Sequence, residues 1–450
     1  MSTQNIPTEL GTVRISKLLR QYALPAIVAM TAVSLYHMID SVFIGRGVGA
    51  LAISGLAITF PFMNISAAFG TLVGIGASTL ISVKLGQKDY ASAKKVLGNM
   101  MVLNIVISIV FTIISLIFLD PILYFFGASE QTISYAREFM IVILLGNVVT
   151  HLYFGLNNVL RSSGHPKTAM MLTIMTVVLN TLLDPIFIFV FKWGIQGAAL
   201  ATVLSQLIAL VWQMRIFRNK NALLYLHKGL LQVDFRLAKD MFAIGLAPFL
   251  MNVASCFIVI LFNNELRIYS GDLAIGAFGI VNRYSFMFVM IVMGLNQGMQ
   301  PIVGYNYGAG KNKRVLEALR LTVIFATIVT TTSFIIGECI PGLVASAFTS
   351  DRELIDLSVY GMRITVLLFP LIGAQIVIAT FFQSLGMARK SIFLSLIRQV
   401  FVLIPCLLIL PKFFALRGVW ASGPVSDLVA CIASTTLIIN QIKKLKSEQL

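Results

Sequence analysis

Charge is scarce in this chain. Asp, Glu, Lys and Arg make up 12% of its 450 residues, about half the ~25% of an ordinary soluble protein. Acids are the scarcer sign, 18 Asp+Glu against 34 Lys+Arg, which leaves a net charge of +16. Such poverty of charge excludes an ordinary soluble domain. A disordered chain is excluded too, because 58% of the residues are hydrophobic and disorder needs the opposite. A basic balance can serve nucleic acid, but the mean hydropathy of +0.90 argues against it, and no nucleic-acid partner is expected. Cysteine is sparse: Cys256, Cys339, Cys406 and Cys431 stand singly in apolar runs, so neither a metal cluster nor a disulfide frame is expected. Cleavable-signal features are missing as well. The first apolar run starts near Leu18, exceeds a signal core and has no small-residue cleavage site after it, so it reads as a membrane span. No P-loop and no nucleophile-type GxSxG occur, so ATP is not the expected energy source. An aspartyl-protease dyad does not fit either, since "MIDSVF" and "LLDPIF" sit in continuous apolar helices. The chain is not expected to be an enzyme, and no cofactor is expected.

Apolar runs are what the chain has in quantity. A helix needs about 20 apolar residues to cross a bilayer. Twelve runs qualify, roughly 18–44, 52–82, 96–118, 136–160, 168–191, 195–216, 241–263, 273–303, 317–339, 358–384, 391–411 and 418–440. Backbone polar groups cannot be left unpaired in lipid, so these runs must be helices. They are too long and too uniformly apolar for the strands of a barrel. The expected fold class is an all-α integral membrane protein with twelve transmembrane helices, and its first partner is the lipid bilayer.

The loops orient it. With the N-terminus inside, 24 of the 34 Lys+Arg fall in cytoplasmic segments, 7 in external ones and 3 within spans (Arg283, Arg363 and Arg398). That bias follows the positive-inside rule and puts both termini in the cytoplasm. The longest basic loop falls at the midpoint and prompts a search for a repeat. At an offset of 222, "GALAISGLAI" (49–58) lies over "GDLAIGAFGI" (271–280), Gly76 over Gly298, and "RSSGHPK" (161–167) over "QSLGMAR" (383–389). Six spans per half is an even number, so the halves share one orientation, a parallel repeat as in many transporters. The expected domains are an N-lobe over 1–220, a cytoplasmic linker over 221–240 and a C-lobe over 241–450.

Charge inside a span costs ~2.5–3.5 kcal/mol on insertion scales, so intramembrane acids are candidate functional groups. Asp40 and Asp184 lie at similar depth in the outer part of spans 1 and 5. Asn180, four residues before Asp184 in "LNTLLDP", shares its helix face. Pro185 has no N–H, so the Thr181 carbonyl loses its helical partner. Thr202 in span 6 adds a hydroxyl at comparable depth, and Tyr36 and His37 lie one turn below Asp40. A carboxylate, an amide and a free carbonyl are oxygen ligands for a hard cation such as Na⁺, and they serve a proton on Asp184 equally well. Asp427 and Arg398 in adjacent spans read as a structural ion pair. Candidate substrate-cleft residues are Phe60, Met63 and Asn64 in span 2, Phe154 and Asn157 in span 4, and Arg283, Met287, Met290 and Gln297 in span 8. Flexible sulfur side chains suit promiscuous apolar surfaces.

Five blocks carry a resemblance: "MIDSVFIGRGVGALAISGLAITFPF", "LGQKDYASAKKVLG", "NNVLRSSGHPKTAM", "LNTLLDPIFIF" and "QPIVGYNYGAGKNKRVLEALR". In this order they resemble the multidrug and toxic compound extrusion family, in its bacterial branch of MepA- and DinF-like transporters. The resemblance implies two six-helix lobes around a V-shaped cleft. It implies antiport, in which an organic cation or amphipathic drug leaves the cell membrane as H⁺ or Na⁺ enters, by a protein acting as a monomer. It implies that Asp40, Asn180, Asp184 and Thr202 match an N-lobe cation site. One departure concerns the NorM-type branch, which carries a glutamate in the middle of helix 7. Nothing acidic lies between Pro248 and Glu265 here. A lipid or lipid-linked oligosaccharide flippase of the related superfamily is the alternative, holding a pyrophosphate on Arg283, Arg363 and Arg398. A channel is a third class, but a twofold-like repeat offers no ring of filter residues.

Overall fold

The computed structural model describes residues 8–220, 222–226 and 232–447. Their regular structure is helical throughout, with no strand among the described residues. The first half runs α1 (Glu9–Thr12), α2 (Ile15–Gly47), α3 (Ala50–Gly86), α4 (Tyr90–Ile117), α5 (Leu119–Phe125), α6 (Ile133–Leu145), α7 (Asn147–Ser162), α8 (Pro166–Pro185) and α9 (Gly194–Arg218). The second runs α10 (Phe235–Gly308), α11 (Asn312–Cys339), α12 (Pro341–Ser346), α13 (Arg352–Val366), α14 (Phe369–Ser384), α15 (Ala388–Leu396) and α16 (Ile404–Ser447). Glycine with φ +75 at Gly271 breaks α10, and Ala415 with φ +49 breaks α16. Among the described residues, eight helices are long and apolar enough to cross a membrane, or ten when two bent pairs each count as one span.

The repeat is written into the helix ends. At the same offset of 222, α4 and α11 begin at Tyr90 and Asn312 and end at Ile117 and Cys339. α7 and α14 likewise begin at Asn147 and Phe369, each after a bend from the preceding helix, of 57° and 54°. Left-handed backbone positions repeat too: Gly49 with Gly271, and Lys88 with Gly310. A side chain strains in that region and glycine does not, which is why a glycine pair keeps the register at 49 and 271. The loop ends are capped by acids. Asp89 accepts from the Ser92 N–H at 3.1 Å, and Asp351 accepts from Glu353 N–H and Leu354 N–H at 2.9 and 3.2 Å. Each satisfies first-turn donors that have no helical acceptor.

Two compact units form. Unit 1 is the chain up to Val13 together with Val28–Phe249, and unit 2 is Arg14–Ile27 with Leu250–Leu450. Each unit therefore includes the first part of the other half's opening helix. In unit 1, α3 meets the start of α10 backbone to backbone, Gly76 against Met241 and Gly245 against Leu72. In unit 2 the later part of α10 receives Ala23 at Gly298 and Ile27 at Gly294. A Cβ at these glycines would overlap main chain, so only a hydrogen in that position lets the helices come so close.

Unit 1 buries Phe62, Leu123, Phe139, Met140 and Leu144 in one core between α3, α5 and α6. Unit 2 seats Trp420 of α16 over Gly361 of α13 and buries Phe381 and Phe382 of α14.

Candidate functional site

Three helices of unit 1 bring oxygen-bearing side chains together: α2, α8 and α9. Pro185 ends α8 because it has no N–H for the carbonyl one turn back. The chain widens after it into a π-helical turn over Ile186–Val190, with Phe191 N–H donating to Ile186 O at 3.0 Å. Such turns recur at functional sites because they re-aim neighbouring side chains. Both other helices dock on this turn. Gly47 at the end of α2 packs against Ile188 and Phe189, two turns beyond Asp40. Gly197 near the start of α9 packs on the Phe187 backbone, where an added Cβ would lie 3.0 Å from its carbonyl. Thr202 follows one and a half turns later. The turn after Asp184 is thus the common anchor for the helices that carry Asp40 and Thr202.

The result is a buried acid pair. Asp184 is 0% and Asp40 6% exposed. Their carboxyl groups lie within hydrogen-bond reach of one another. Asn180, one turn before Asp184 and also buried, donates its Nδ2 to the Thr202 hydroxyl at 3.1 Å, and that hydroxyl donates to Ala198 O at 3.2 Å. Four acceptors remain without any N–H or O–H donor among the described residues: Asp40 Oδ1, Asn180 Oδ1 and both Asp184 oxygens. Buried polar atoms almost always have partners. A cluster of buried acceptors with no donor among the described residues is chemically suited to a positive species, a proton shared between the carboxyls or a hard cation held by oxygen.

The remaining expected residues divide. Thr181 spends its hydroxyl on Val177 O at 2.9 Å, within its own helix. Tyr36 and His37 lie on α2, and their side chains are outside the described residues. On unit 1, Phe60 and Asn64 are exposed and Met63 and Phe154 are half-buried. Asn157 is interior. It donates to Ala169 O at 3.2 Å and to Thr173 Oγ1 at 3.3 Å, and it accepts from Arg161 at 2.7 Å. On unit 2, Arg283 and Met287 are exposed, and Met290 and Gln297 are half-buried.

A polar side chain in span 4 reads from the sequence as an interhelical hydrogen-bonding group, and the structure bears it out. Tyr153 of α7 sits between Thr173 (3.5 Å) and Thr176 (3.3 Å) of α8. With Asn157 and Arg161 it extends the polar face of α8 away from Asn180. Its threonine partners are ordinary in apolar helices. Only the spacing of Thr173, Thr176, Asn180 and Asp184 at three and four residues could have marked that face.

Comparison with known proteins agrees with this architecture. The MatE family pattern matches residues 25–186 and 244–408, more than half the chain. "Multidrug export protein MepA" of Staphylococcus aureus (strain NCTC 8325 / PS 47) is 27% identical over 425 residues, 94% of this chain and 93% of that protein. The protein of the same name from Staphylococcus haemolyticus (strain JCSC1435) is 27% identical over 424 residues. Among solved structures, the MATE multidrug transporter DinF-BH, solved as a complex with a ligand, is 36% identical with a TM-score of 0.88, covering 98% of this chain and 97% of that one. A MATE in the bent conformation has a TM-score of 0.92 at 22% identity over the full length of both, a likeness of fold.

Proposed function

The chain belongs to the MatE family, and from that premise we propose that it is a multidrug efflux transporter driven by an ion that binds at Asp40 and Asp184. It exports organic cations and amphipathic drugs in exchange for H⁺ or Na⁺. The observation that carries this is the set of four donor-free acceptor oxygens in the interior of unit 1. The names of its relatives support the drug side, since MepA is a multidrug export protein and DinF-BH a multidrug transporter.

In the mechanism, the acid pair takes up a proton or Na⁺ from outside. Neutralising the pair removes the repulsion between two carboxylates, so α2 repacks against α8 and α9, and drug affinity falls. The ion leaves inward, and the ionised pair restores the drug-binding state. One charge crossing 100 mV of membrane potential supplies about 2.3 kcal/mol, enough for a bias of roughly fiftyfold.

Twelve crossings complete the proposal. The ten spans counted by length and composition become twelve when α2 is added and Ala388–Ser447 is divided at Ala415. The two repeats then form an N-lobe and a C-lobe of six helices each, joined by the basic linker, in the cell membrane with both termini cytoplasmic. Phe60, Met63 and Phe154 of unit 1 are proposed drug contacts, and so, on unit 2, are Met290 and Gln297. The flippase reading loses one of its three arginines, because Arg398 is bound to Asp427 at 2.7 Å. Export of ethidium from cells lacking their own pumps, lost in Asp184→Asn at unchanged expression, tests the reading.

A further inference from the structure

Unit 2 has its own polar meeting point, built on helices that correspond to those of the acid pair. Arg398 and Gln399 open a π-helical turn, Ile397–Leu403, that follows α15. In unit 1 the π-helical turn follows α8 just after Asp184. α8 and α15 begin at Pro166 and Ala388, again 222 residues apart. Arg398 Nε donates to Asp427 Oδ1 of α16 at 2.7 Å, and Asp427 is 6% exposed. Gln399 Nε2 donates to Ser255 Oγ of α10 at 2.9 Å. So the opening helix, the π-broken helix and the last helix of each repeat converge on polar side chains.

The two meeting points differ in one respect. Unit 1 has acceptors with no positive partner among the described residues, whereas unit 2 has a carboxylate whose positive partner is covalently part of the chain. From the helices packed around it, Arg398 is the single charged group that acts on Asp427 among the described residues. The next residue on the same turn carries a further acceptor: Gln399 Oε1 is buried with no donor among the described residues. We propose that Arg398 is a resident cation, standing at unit 2's meeting point where a proton or monovalent cation binds in unit 1. Removing its guanidinium then uncovers a cation site centred on the Asp427 carboxylate. The physical reason is that a buried carboxylate stripped of its partner is strongly disfavoured and recruits whatever positive species is at hand. The likeness to unit 1 rests on the reading of Asp40 and Asp184 as an ion site, but the cation site at Asp427 does not depend on it.

The test uses the purified full-length protein in an Asp40→Asn, Asp184→Asn background, which removes both carboxylates of unit 1 and keeps the two claims separable. Thermal unfolding is followed in NaCl against choline chloride at equal ionic strength, and at acid against alkaline pH. Arg398→Met and Arg398→Gln are expected to gain a rise in Tm of about 2–4 °C with Na⁺ or with acid, as binding to the folded state alone requires. The NaCl arm distinguishes a metal cation from a proton. Arg398→Lys, which keeps a positive charge, and Arg398→Met with Asp427→Asn are expected to gain nothing. Variants that fold only in Na⁺ or only in acid also support the proposal. Arg398→Met and Arg398→Gln that ignore both ions, or that fold under none of these conditions, overturn it, and the pair is then a structural strut. A response that survives Asp427→Asn overturns it equally.

Discussion

Asp40 and Asp184 face each other across the boundary between α2 and α8, carboxyl to carboxyl, and no other described side chain donates to either Asp184 oxygen. Two carboxylates have no proton to share, so this geometry favours a third, positive participant, the ion of the proposed coupling.

Asn180 and Thr202 fix that participant's surroundings. Their 3.1 Å hydrogen bond spends the amide Nδ2 on Thr202 and leaves Asn180 Oδ1 as an acceptor. Asn180→Leu removes the oxygen and is expected to weaken the dependence of efflux on ion concentration at least about tenfold, the usual effect of losing a supporting ligand. Thr202→Val, which only frees the amide to rotate, is expected to do less. Titrating ethidium efflux against H⁺ and against Na⁺ in both variants checks this.

Glycines of the helix crossings separate close approach from mere helix composition. Gly76 meets Met241 main chain and Gly245 meets Leu72 main chain. Backbone cannot yield as a side-chain tip does, so Gly76→Val and Gly245→Val are expected to destabilise by at least about 1–3 kcal/mol. Gly279 has nothing within 4 Å of an added Cβ, so Gly279→Ala is expected to stabilise by about 0.5–1 kcal/mol. Tm of the purified variants in one detergent decides between them.

Asp89 provides a pH-dependent contribution outside the membrane. Its hydrogen bonds from the Ser92 side chain and backbone, and then the nearby Lys84, hold its carboxyl below the usual 3.8. A folded value below the unfolded one gives stability that is complete above the unfolded value and disappears as pH falls through the folded one. Asp89→Ala is therefore expected to cost about 1 kcal/mol at neutral pH, the ordinary worth of an N-cap. The gap between wild type and variant should close below the unfolded carboxylate value. Unfolding curves across that range test the sign.

Much of this was legible in the residues. Asp40, Asn180, Asp184 and Thr202 stood out because a polar side chain in a long apolar run is costly and has few bland explanations. The Arg398–Asp427 pair was legible for the same reason, and the geometry bears it out. The repeat was visible at Gly76 and Gly298 because close crossings tolerate only glycine. Other features were not. Tyr153 was legible as an interhelical group, but its partner Thr176 was not, because any apolar helix tolerates a threonine. Asn157 was a candidate cleft residue, yet three hydrogen-bond partners hold it inside unit 1. The membership of Arg14–Ile27 in unit 2 depends on contacts more than 200 residues away in sequence, which no local pattern encodes. The π-helical turn after Pro185 was half legible: proline announces a break but does not say that the ladder widens.

The most direct test of ion coupling through the acid pair is ethidium efflux from pump-deficient cells expressing wild type, Asp40→Asn or Asp184→Asn at equal membrane levels, with and without an uncoupler and with Na⁺ replaced. Active export by wild type, collapse on removing the one gradient it uses, and no export by either variant are the expected results. Full export by Asp184→Asn, still sensitive to the same gradient, would contradict a role for the pair and place the ion elsewhere.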